Sequence, residues 1–245
     1  MLNFDTVHLY QFGFYAPGSR LEPSPEILGD LLKAFSGTDF MPTTVQEMRL
    51  GPVAETRQQL HLVTKNNAWC IEFEPHRVTF IKKNVPNMEI GTLQKFSQDV
   101  ADFAARLASV VSLNGNRLSY VTKGWLLEMK GEVLEGVAPK LLTMPPFYQE
   151  NTPSEWSTRT VARYETSIND NPEIVNVITD INRIQGIRRE KTEPKEFSCL
   201  EVGFDINTFQ NNTKRRFQLN DAEVFMQEAE TISQRLLTEI EEIIL

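Results

Sequence analysis

The sequence has only two cysteines and three histidines in 245 residues, which limits the metal and redox chemistry it can carry. Cys70 and Cys199 lie far apart and match no zinc-binding spacing, so both are expected to be reduced, partly buried thiols. His8, His61 and His76 fall in or beside three different strand candidates, outside any known ligand pattern. The sequence therefore predicts no metal, no cofactor and no catalytic residue.

The motifs of the common enzyme classes are missing as well. There is no G-x-S-x-G elbow, no lysine-containing phosphate loop, no G-x-G-x-x-G fingerprint and no H-E-x-x-H pair. No basic segment leads into an apolar run at the N-terminus, and no stretch reaches the roughly 20 apolar residues of a membrane-spanning helix. We expect a cytoplasmic protein.

The composition is that of an ordinary globular chain, with 40% hydrophobic and 24% charged residues. A net charge of -8 disfavours wholesale nucleic-acid binding, although a local basic patch could still bind an anion.

The last fifty residues carry the clearest pattern. Phe197–Phe209 alternates apolar and polar residues with a period of two, which predicts a strand with one buried face. Asn220–Leu245 has apolar residues on one helical stripe. A strand face and a helix stripe are the two halves of a layered core.

The same two patterns recur earlier in the chain. Ser24 and Thr92 precede two predicted amphipathic helices as N-cap residues. Short polar connections between the strand candidates favour antiparallel hairpins. The predicted strands are Asn3–Tyr15, Val45–Leu50, Gln58–Thr64, Trp69–Glu74, Arg77–Lys82, Arg117–Met129 with a kink at Gly124, Thr158–Ile168, Ile174–Ile184 and Phe197–Phe209.

These elements predict an α+β fold with mainly antiparallel sheet and long amphipathic helices packed on it. Strands followed by a helix occur twice, over Gln58–Leu113 and Thr158–Leu245, which indicates two related halves. The glycines and prolines of residues 130–155 predict a connection between the halves, and the apolar Leu141, Leu142, Phe147 and Tyr148 indicate that it is packed. We therefore expect closely packed halves, 1–140 and 141–245.

Two groups of basic residues flank the last predicted strand. Arg188, Arg189 and Lys191 precede it, and Lys214, Arg215 and Arg216 follow it. They form two separate patches if the strand takes its ends to opposite rims, or one anion or nucleic-acid site if the sheet curls. Because acidic residues dilute the first group, a solvated loop is the competing interpretation.

Glu128 and Lys130 form an E-x-K triplet at the end of a strand, as in metal-dependent nucleases of the restriction-enzyme type. That site also needs an acid on a neighbouring strand. Asp99 and Asp102 fall on a predicted helix, and Glu72 or Glu74 would require a strand pairing that the sequence does not establish.

The C-terminal helix ends on Ile243, Ile244 and Leu245, an apolar tail where polar residues are usual. Either the tail is buried against the sheet, or it forms a surface for a protein partner or a second copy of the chain.

Three segments carry a resemblance to a family. They are the Arg-led strand Arg117–Val121, the strand Val202–Phe209 with Asp205-Ile206-Asn207 at its centre, and the closing helix that begins near Leu219-Asn220. From Arg49 to Leu245 the chain resembles a sporadically distributed, uncharacterised bacterial family whose members are about as long as this chain. The resemblance implies an accessory role beside a protein partner, as in phage defence or toxin–antitoxin systems.

The leading hypothesis is therefore a non-enzymatic protein-interaction component of a bacterial multi-protein system. A homodimer is a further expectation. The alternative is a divergent metal-dependent nuclease or a nucleic-acid-binding subunit.

Overall fold

The structure is a computed structural model that describes residues 4, 6–49, 55–86, 88–126, 131–189 and 194–244. Nine strands form one sheet: β1 Thr6–Tyr15, β2 Phe40–Arg49, β3 Glu55–Thr64, β4 Trp69–Glu74, β5 Arg77–Lys83, β6 Arg117–Leu126, β7 Trp156–Ile168, β8 Asn171–Arg189 and β9 Pro194–Thr208. The helices are α1 Pro25–Ala34, α2 Leu93–Ala108, α3 Gly131–Leu141, α4 Pro146–Glu150 and α5 Ala222–Ile244, the last preceded by a 3₁₀ turn, Leu219–Asp221.

The strands lie in the order β2-β3-β4-β5-β1-β6-β9-β8-β7, and every neighbouring pair is antiparallel. Short hairpins join most neighbours, as the polar turns predict. The predicted α+β class with mainly antiparallel sheet is confirmed. None of the described helices is long and apolar enough to cross a membrane.

The two halves of the sheet, β1–β5 and β6–β9, are connected in a similar order. Each begins with a central strand, β1 or β6, continues through helix into a meander, and ends in a long helix, α2 or α5. The meander has four strands in the first half and three in the second, where α3 and α4 both precede it. The last strand of each meander, β5 or β9, pairs with the central strand of its own half, and β1 pairs with β6 across the middle. The predicted division into 1–140 and 141–245 stays a prediction, and residue 140 lies within α3.

Both hydrophobic clusters lie on one face of the sheet, while a small aromatic group, in which the Trp125 ring lies 4.5 Å from His8 and 5.2 Å from Phe197, lies on the other. Phe12 of β1 is fully buried and contacts Phe80 of β5 and Phe225 of α5, at centroid distances of 5.7 and 6.1 Å. A second cluster forms where Leu134 and Val137 of α3 pack beside Leu200, Val202 and Phe204 in the middle of β9. Because α1, α2, α3 and α5 bury residues on this face, the core is a single layer between helices and sheet.

Local signals in the sequence explain the helix starts. Ser24 Oγ accepts a hydrogen bond from the backbone N–H of Ile27 at 3.2 Å, and Pro25 occupies the first helical position. Thr92 Oγ1 accepts in the same way from Lys95 N–H at 3.2 Å. Both caps satisfy N–H groups that a helix leaves unpaired, so both predicted helix starts are confirmed.

Two sequence predictions are wrong in detail. Residues 130–155 include α3, which the helix-breaking Gly136 and Pro139 concealed. Leu134 and Val137 of α3 are buried, whereas Phe147 and Tyr148, on which the predicted packing was based, are 66% and 47% exposed. The predicted loop 186–196 is largely paired strand, because β8 and β9 stay in register out to the Arg189–Pro194 pair. The described pairing of β9 with β6 ends at Leu200, and that of β8 with β7 ends at Arg183. Beyond these residues β8 and β9 pair with each other as a two-stranded ribbon.

The predicted kink at Gly124 has a counterpart on the opposite strand. The β1–β6 register shifts between Val7 and Leu9, directly across from Gly124, so the irregularity belongs to β1. A Cβ at Gly124 would lie 2.9 Å from the Thr6 carbonyl oxygen, so the close approach of the two strands requires glycine.

Candidate binding surface

One face of the sheet is covered by none of the described helices, and we call it the open face. Because side chains alternate along a strand, the neighbours of buried Phe12 and Tyr120, such as Gln11 and Val121, lie on this face. Neither hydrophobic cluster includes any of its residues. An antiparallel sheet commonly leaves one face to solvent, so the composition of the open face decides whether it is more than a solvated surface.

A row of mostly apolar residues crosses the open face from edge to edge, and we call it the apolar row. The strand registers place these residues side by side, in the order Met41, Val63, Cys70, Ile81, Gln11, Val121, Asp205, Ile178 and Val161. All are apolar except Gln11 and Asp205. With strands about 4.8 Å apart, the row is about 38 Å long.

The ends of the apolar row are the most exposed. Met41 is 52% exposed and Val161 is 57% exposed, while the members between them are half-buried among their neighbours. The side chains beside the row on the same strands are mainly polar. A stripe of this kind, rimmed by polar residues, is typical of a contact surface rather than of a solvated sheet.

Charges of both signs are mixed across the open face. Among the residues whose side chains the structure describes, its cations are Arg77, Lys83, Arg117, Lys123, Arg159 and Arg163, and its carboxylates are Glu72, Glu74, Glu165, Asp180, Glu201 and Asp205. Several are already paired: Lys123 Nζ lies 2.6 Å from Glu201, and Arg159 lies 2.8 Å from Asp180. The open face is therefore close to electroneutral.

One end of the open face alternates arginine and aromatic side chains. The Tyr15 ring lies between two guanidinium groups, with Arg77 at 5.6 Å and Arg117 at 4.7 Å from its centroid. Glu74 accepts two hydrogen bonds from Arg77, at 2.9 and 3.0 Å. Among the described residues Arg117 has no ion pair, and its Nε is buried without a partner. A buried donor without a partner is costly, so Arg117 is available to an anion.

A second arginine–aromatic pair continues the same end of the sheet. Arg163 lies 4.9 Å from the Phe209 ring centroid and donates a hydrogen bond to Asn176 at 3.2 Å. We call Tyr15, Arg77, Arg117, Arg163 and Phe209 the arginine rim. The sequence did not reveal the arginine rim, because its members come from five separate segments of the chain.

The basic loop after β9 lies at this end of the sheet. Its Arg216 N–H donates to Gly115 O, and the adjoining Asn116 N–H donates to Tyr15 O. Lys214 and Arg215 are exposed there. Two of the predicted anion-binding residues therefore lie near the arginine rim.

Arg216 is held by contacts within the protein. Its guanidinium lies 2.6 Å from the carboxylate of Glu173, whose side chain is only 5% exposed, and 4.4 Å from the Phe217 ring centroid. It also donates to the carbonyls of Asn212 and Lys214, each at 3.0 Å. These contacts fix the loop on the sheet, and the assignment of Arg216 to an anion site stays a prediction.

The other predicted basic group lies far from this loop. Arg188 and Arg189 end β8 beside the start of β9; their side chains, and the whole of Lys191, lie outside the described residues. The loop with Lys214 follows the other end of β9. The fifteen residues of β9 span about 50 Å at 3.3 Å per residue. The two basic groups are therefore at opposite rims of the sheet.

None of the upstream acids that the nuclease hypothesis named lies on a strand next to β6. Glu128 and Lys130 lie outside the described residues. Glu72 and Glu74 are on β4, which β5 and β1 separate from β6, the strand that leads to the triplet. Asp99 and Asp102 are on α2, where Lys95 Nζ lies 2.7 Å from Asp99 and Arg106 Nε lies 2.8 Å from Asp102.

The C-terminal tail is split between core and surface. Ile244 is 3% exposed and packs in the second hydrophobic cluster, while its carbonyl accepts a hydrogen bond from Lys140 Nζ at 3.2 Å. Ile243 is 40% exposed, and Leu245 lies outside the described residues. Of the predicted partner surface, Ile243 is thus the described residue that faces solvent.

His61, Cys70 and Glu72 come together on the open face, which the spacings along the chain did not reveal. His61 is paired with Glu72 across the β3–β4 hairpin, and Cys70 faces the same side. Their ligand-type atoms all lie within 4.8 Å of one another. The cluster could have been predicted from the β3–β4 hairpin. The polar residues Lys65-Asn66-Asn67 mark its turn, and the turn fixes the strand register that brings the three residues together.

Burial changes the proton affinities of this cluster. It raises the pKa of the Cys70 thiol to about 12, with a further contribution from the negative charge of Glu72. It lowers the pKa of His61, against the opposing effect of Glu72 and Glu74. At neutral pH the thiol of Cys70 and the imidazole of His61 are therefore both neutral.

No protein-family model matches the sequence, and no curated protein matches it either. Among solved structures, the chain is similar to a rolling circle replication initiator protein from Geobacillus stearothermophilus, at 9% sequence identity over 84% of this chain and 75% of that chain. The TM-score is 0.29. This value is too low for the similarity to carry an argument about the fold or the function of this chain.

Proposed function

We propose that this chain is a non-enzymatic binding protein whose open face docks on a protein partner through the apolar row. The observation that carries the proposal is the row itself, an apolar stripe aligned across all nine strands of an uncovered sheet face. When a partner covers such a stripe, its apolar side chains are removed from water, which favours association. The family resemblance supports a setting in a bacterial multi-protein system, such as phage defence or toxin–antitoxin.

The charges of the open face favour protein over nucleic acid as the main partner. Nucleic-acid binding depends on an excess of Lys and Arg, which release counterions from the phosphates. The side chains of the open face that the structure describes include as many carboxylates as cations, and the whole chain has a net charge of -8. The partner that fits is a protein with an elongated apolar ridge flanked by charges of both signs.

The experiment compares substitutions in the apolar row with a control substitution on the helix side of the sheet. The tagged chain is expressed with its neighbouring genes, the partner is identified and purified, and the complex is rebuilt from pure components. Met41→Glu and Val161→Glu place a carboxylate at the exposed ends of the row. Val133→Glu is the control, because Val133 is 43% exposed on α3, on the helix side of the sheet.

We expect the row variants to weaken the rebuilt complex at least about tenfold in Kd, measured by calorimetry, because burying an unpaired charge is costly. The control should bind as the unaltered chain does. Equal affinities for all three variants would remove the open face from the interface. A purified chain that binds no protein and binds an oligonucleotide would overturn the proposal.

The arginine rim favours a second candidate, binding of single-stranded nucleic acid at that end of the sheet. Tyr15 and Phe209 can stack bases, and Arg117, which has no ion pair, can hold a phosphate. The test is fluorescence anisotropy of a labelled single-stranded oligonucleotide at increasing salt. Arg117→Ala should abolish salt-sensitive binding. Arg235→Ala, at an exposed position on α5, is the control and should leave this binding intact. Absence of binding at low salt would dismiss this candidate.

A further inference from the structure

In the cluster of His61, Cys70 and Glu72, the two distances from the Cys70 sulfur match the edges of a coordination tetrahedron. Cys70 Sγ lies 3.7 Å from His61 Nδ1 and 3.8 Å from Glu72 Oε1. In a tetrahedral zinc site, with Zn–S near 2.3 Å and Zn–N or Zn–O near 2.0 Å, ligand atoms are about 3.6 Å apart. Two edges of the tetrahedron are therefore present within about 0.2 Å of their expected lengths.

We propose that His61, Cys70 and Glu72 bind a zinc ion, with a fourth coordination position open toward solvent. The site lies on the open face between β3 and β4, where a water molecule can complete the tetrahedron. This inference does not rest on the proposed function, because it needs no partner.

The donor types select zinc over the common hard cations. Mg²⁺ and Ca²⁺ take oxygen ligands, whereas a set of one thiolate, one imidazole and one carboxylate suits Zn²⁺. Charge also balances, since a thiolate and a carboxylate neutralise the ion while the imidazole stays neutral.

No other described contact occupies the imidazole of His61. Its Nε2 is buried and has no hydrogen-bond partner among the described residues, and its Nδ1 faces the thiol. Beyond the three ligands, the charged groups that act on the cluster are Glu74 and Lys83. Glu74 already binds Arg77, so it is not free to replace Glu72 as a ligand.

Binding must release a proton from Cys70, because the thiolate is the form that binds the metal. Burial raises the pKa of this thiol to about 12, so it is protonated in the metal-free chain at neutral pH. The lowered pKa of His61 leaves its imidazole neutral already. Zinc binding at pH 7 should therefore release about one proton per ion.

The test uses the full chain, freed of metal with a chelator under reducing conditions. Zinc is titrated in competition with a chromophoric chelator, and proton release is measured in weak buffer. Cobalt(II) is titrated in parallel, because thiolate ligation gives it a near-ultraviolet charge-transfer band. We expect one equivalent of zinc, about one proton released and the thiolate band.

Four variants separate the site from adventitious binding. Cys70→Ser and His61→Ala should each weaken zinc binding about 100-fold or more, and Cys70→Ser should remove the cobalt band. Cys199→Ser and His76→Ala are the matched controls and should retain both signals. The urea midpoint of each variant checks that it folds.

The proposal is overturned if the unaltered chain binds no stoichiometric zinc or gives no thiolate–cobalt band. It is also overturned if Cys70→Ser binds zinc as tightly as the unaltered chain. Should Cys70→Ser fail to fold, the cobalt spectrum and the proton release of the unaltered chain decide the question without it.

Discussion

Arg117 at the start of β6 lies directly opposite Tyr15 at the end of β1, with its guanidinium 4.7 Å from the Tyr15 ring centroid. This pair joins the first residue of the second half to the last strand residue before α1 in the first half. The two halves therefore meet in an arginine–aromatic contact as well as in the backbone ladder. The contact also places an arginine with no described ion pair at the edge of the open face.

Phe12 should be one of the largest contributors to stability. It is fully buried between aromatic rings of both halves, so Phe12→Ala leaves a cavity at the centre of the core. We expect the free energy of unfolding to fall by about 3 to 5 kcal/mol, measured by urea denaturation. Gln11→Ala, on the open face of the same strand, should change it by less than about 1 kcal/mol. Similar losses for both would contradict the assignment of the core to one face.

Arg216 should matter for folding rather than for binding. Arg216→Ala leaves the buried Glu173 carboxylate without its counter-charge and frees the loop. A loss of about 3 kcal/mol in the free energy of unfolding is expected.

The neighbouring Arg215→Ala, at an exposed position, is the control and should change stability by less than about 0.5 kcal/mol. If Arg216→Ala unfolds at the same urea concentration as this control, the ion pair has no structural role.

Acid should destabilise the metal-free fold through its buried histidines. Burial lowers the pKa of His8 and of His61 below the ordinary value of 6.5, so the unfolded chain takes up protons at a higher pH than the folded one. Stability is therefore retained above about pH 6.5 and falls as the pH drops toward the folded pKa values.

His61→Gln should flatten the dependence of the urea midpoint on pH between 7.5 and about 5.5. His76→Gln, at an exposed position, is the control. An unaltered slope in His61→Gln would contradict the lowered pKa.

Two glycines should respond in opposite ways to alanine. A Cβ at Gly115 would lie 2.6 Å from the Phe14 ring, whereas a Cβ at Gly136 in α3 meets nothing within 4 Å. Gly115→Ala should therefore lower the melting temperature, at a cost of about 1 to 3 kcal/mol. Gly136→Ala should raise it, by about 0.5 to 1 kcal/mol, because alanine favours the helix. Calorimetry of both variants checks the pair.

Much of the local structure could be predicted from the sequence because its causes are local. Alternation over Phe197–Phe209 and the caps Ser24 and Thr92 depend on residues a few positions apart. Helix α3 escaped prediction because Gly136 and Pro139 disfavour a helix that packing on β9 stabilises. The β8–β9 ribbon was not predicted because residues 186–196 are rich in charged side chains, as loops are. The strands still pair there, because their hydrogen bonds join backbone groups and do not depend on the side chains.

The sequence by itself determined the α+β class, the element types and the burial of one strand face. Only the tertiary structure decided the strand order and with it every candidate surface. The apolar row, the arginine rim and the cluster of His61, Cys70 and Glu72 all run across the strands, perpendicular to the chain. Their members are neighbours through backbone pairing between distant segments, and no spacing along one segment encodes that pairing.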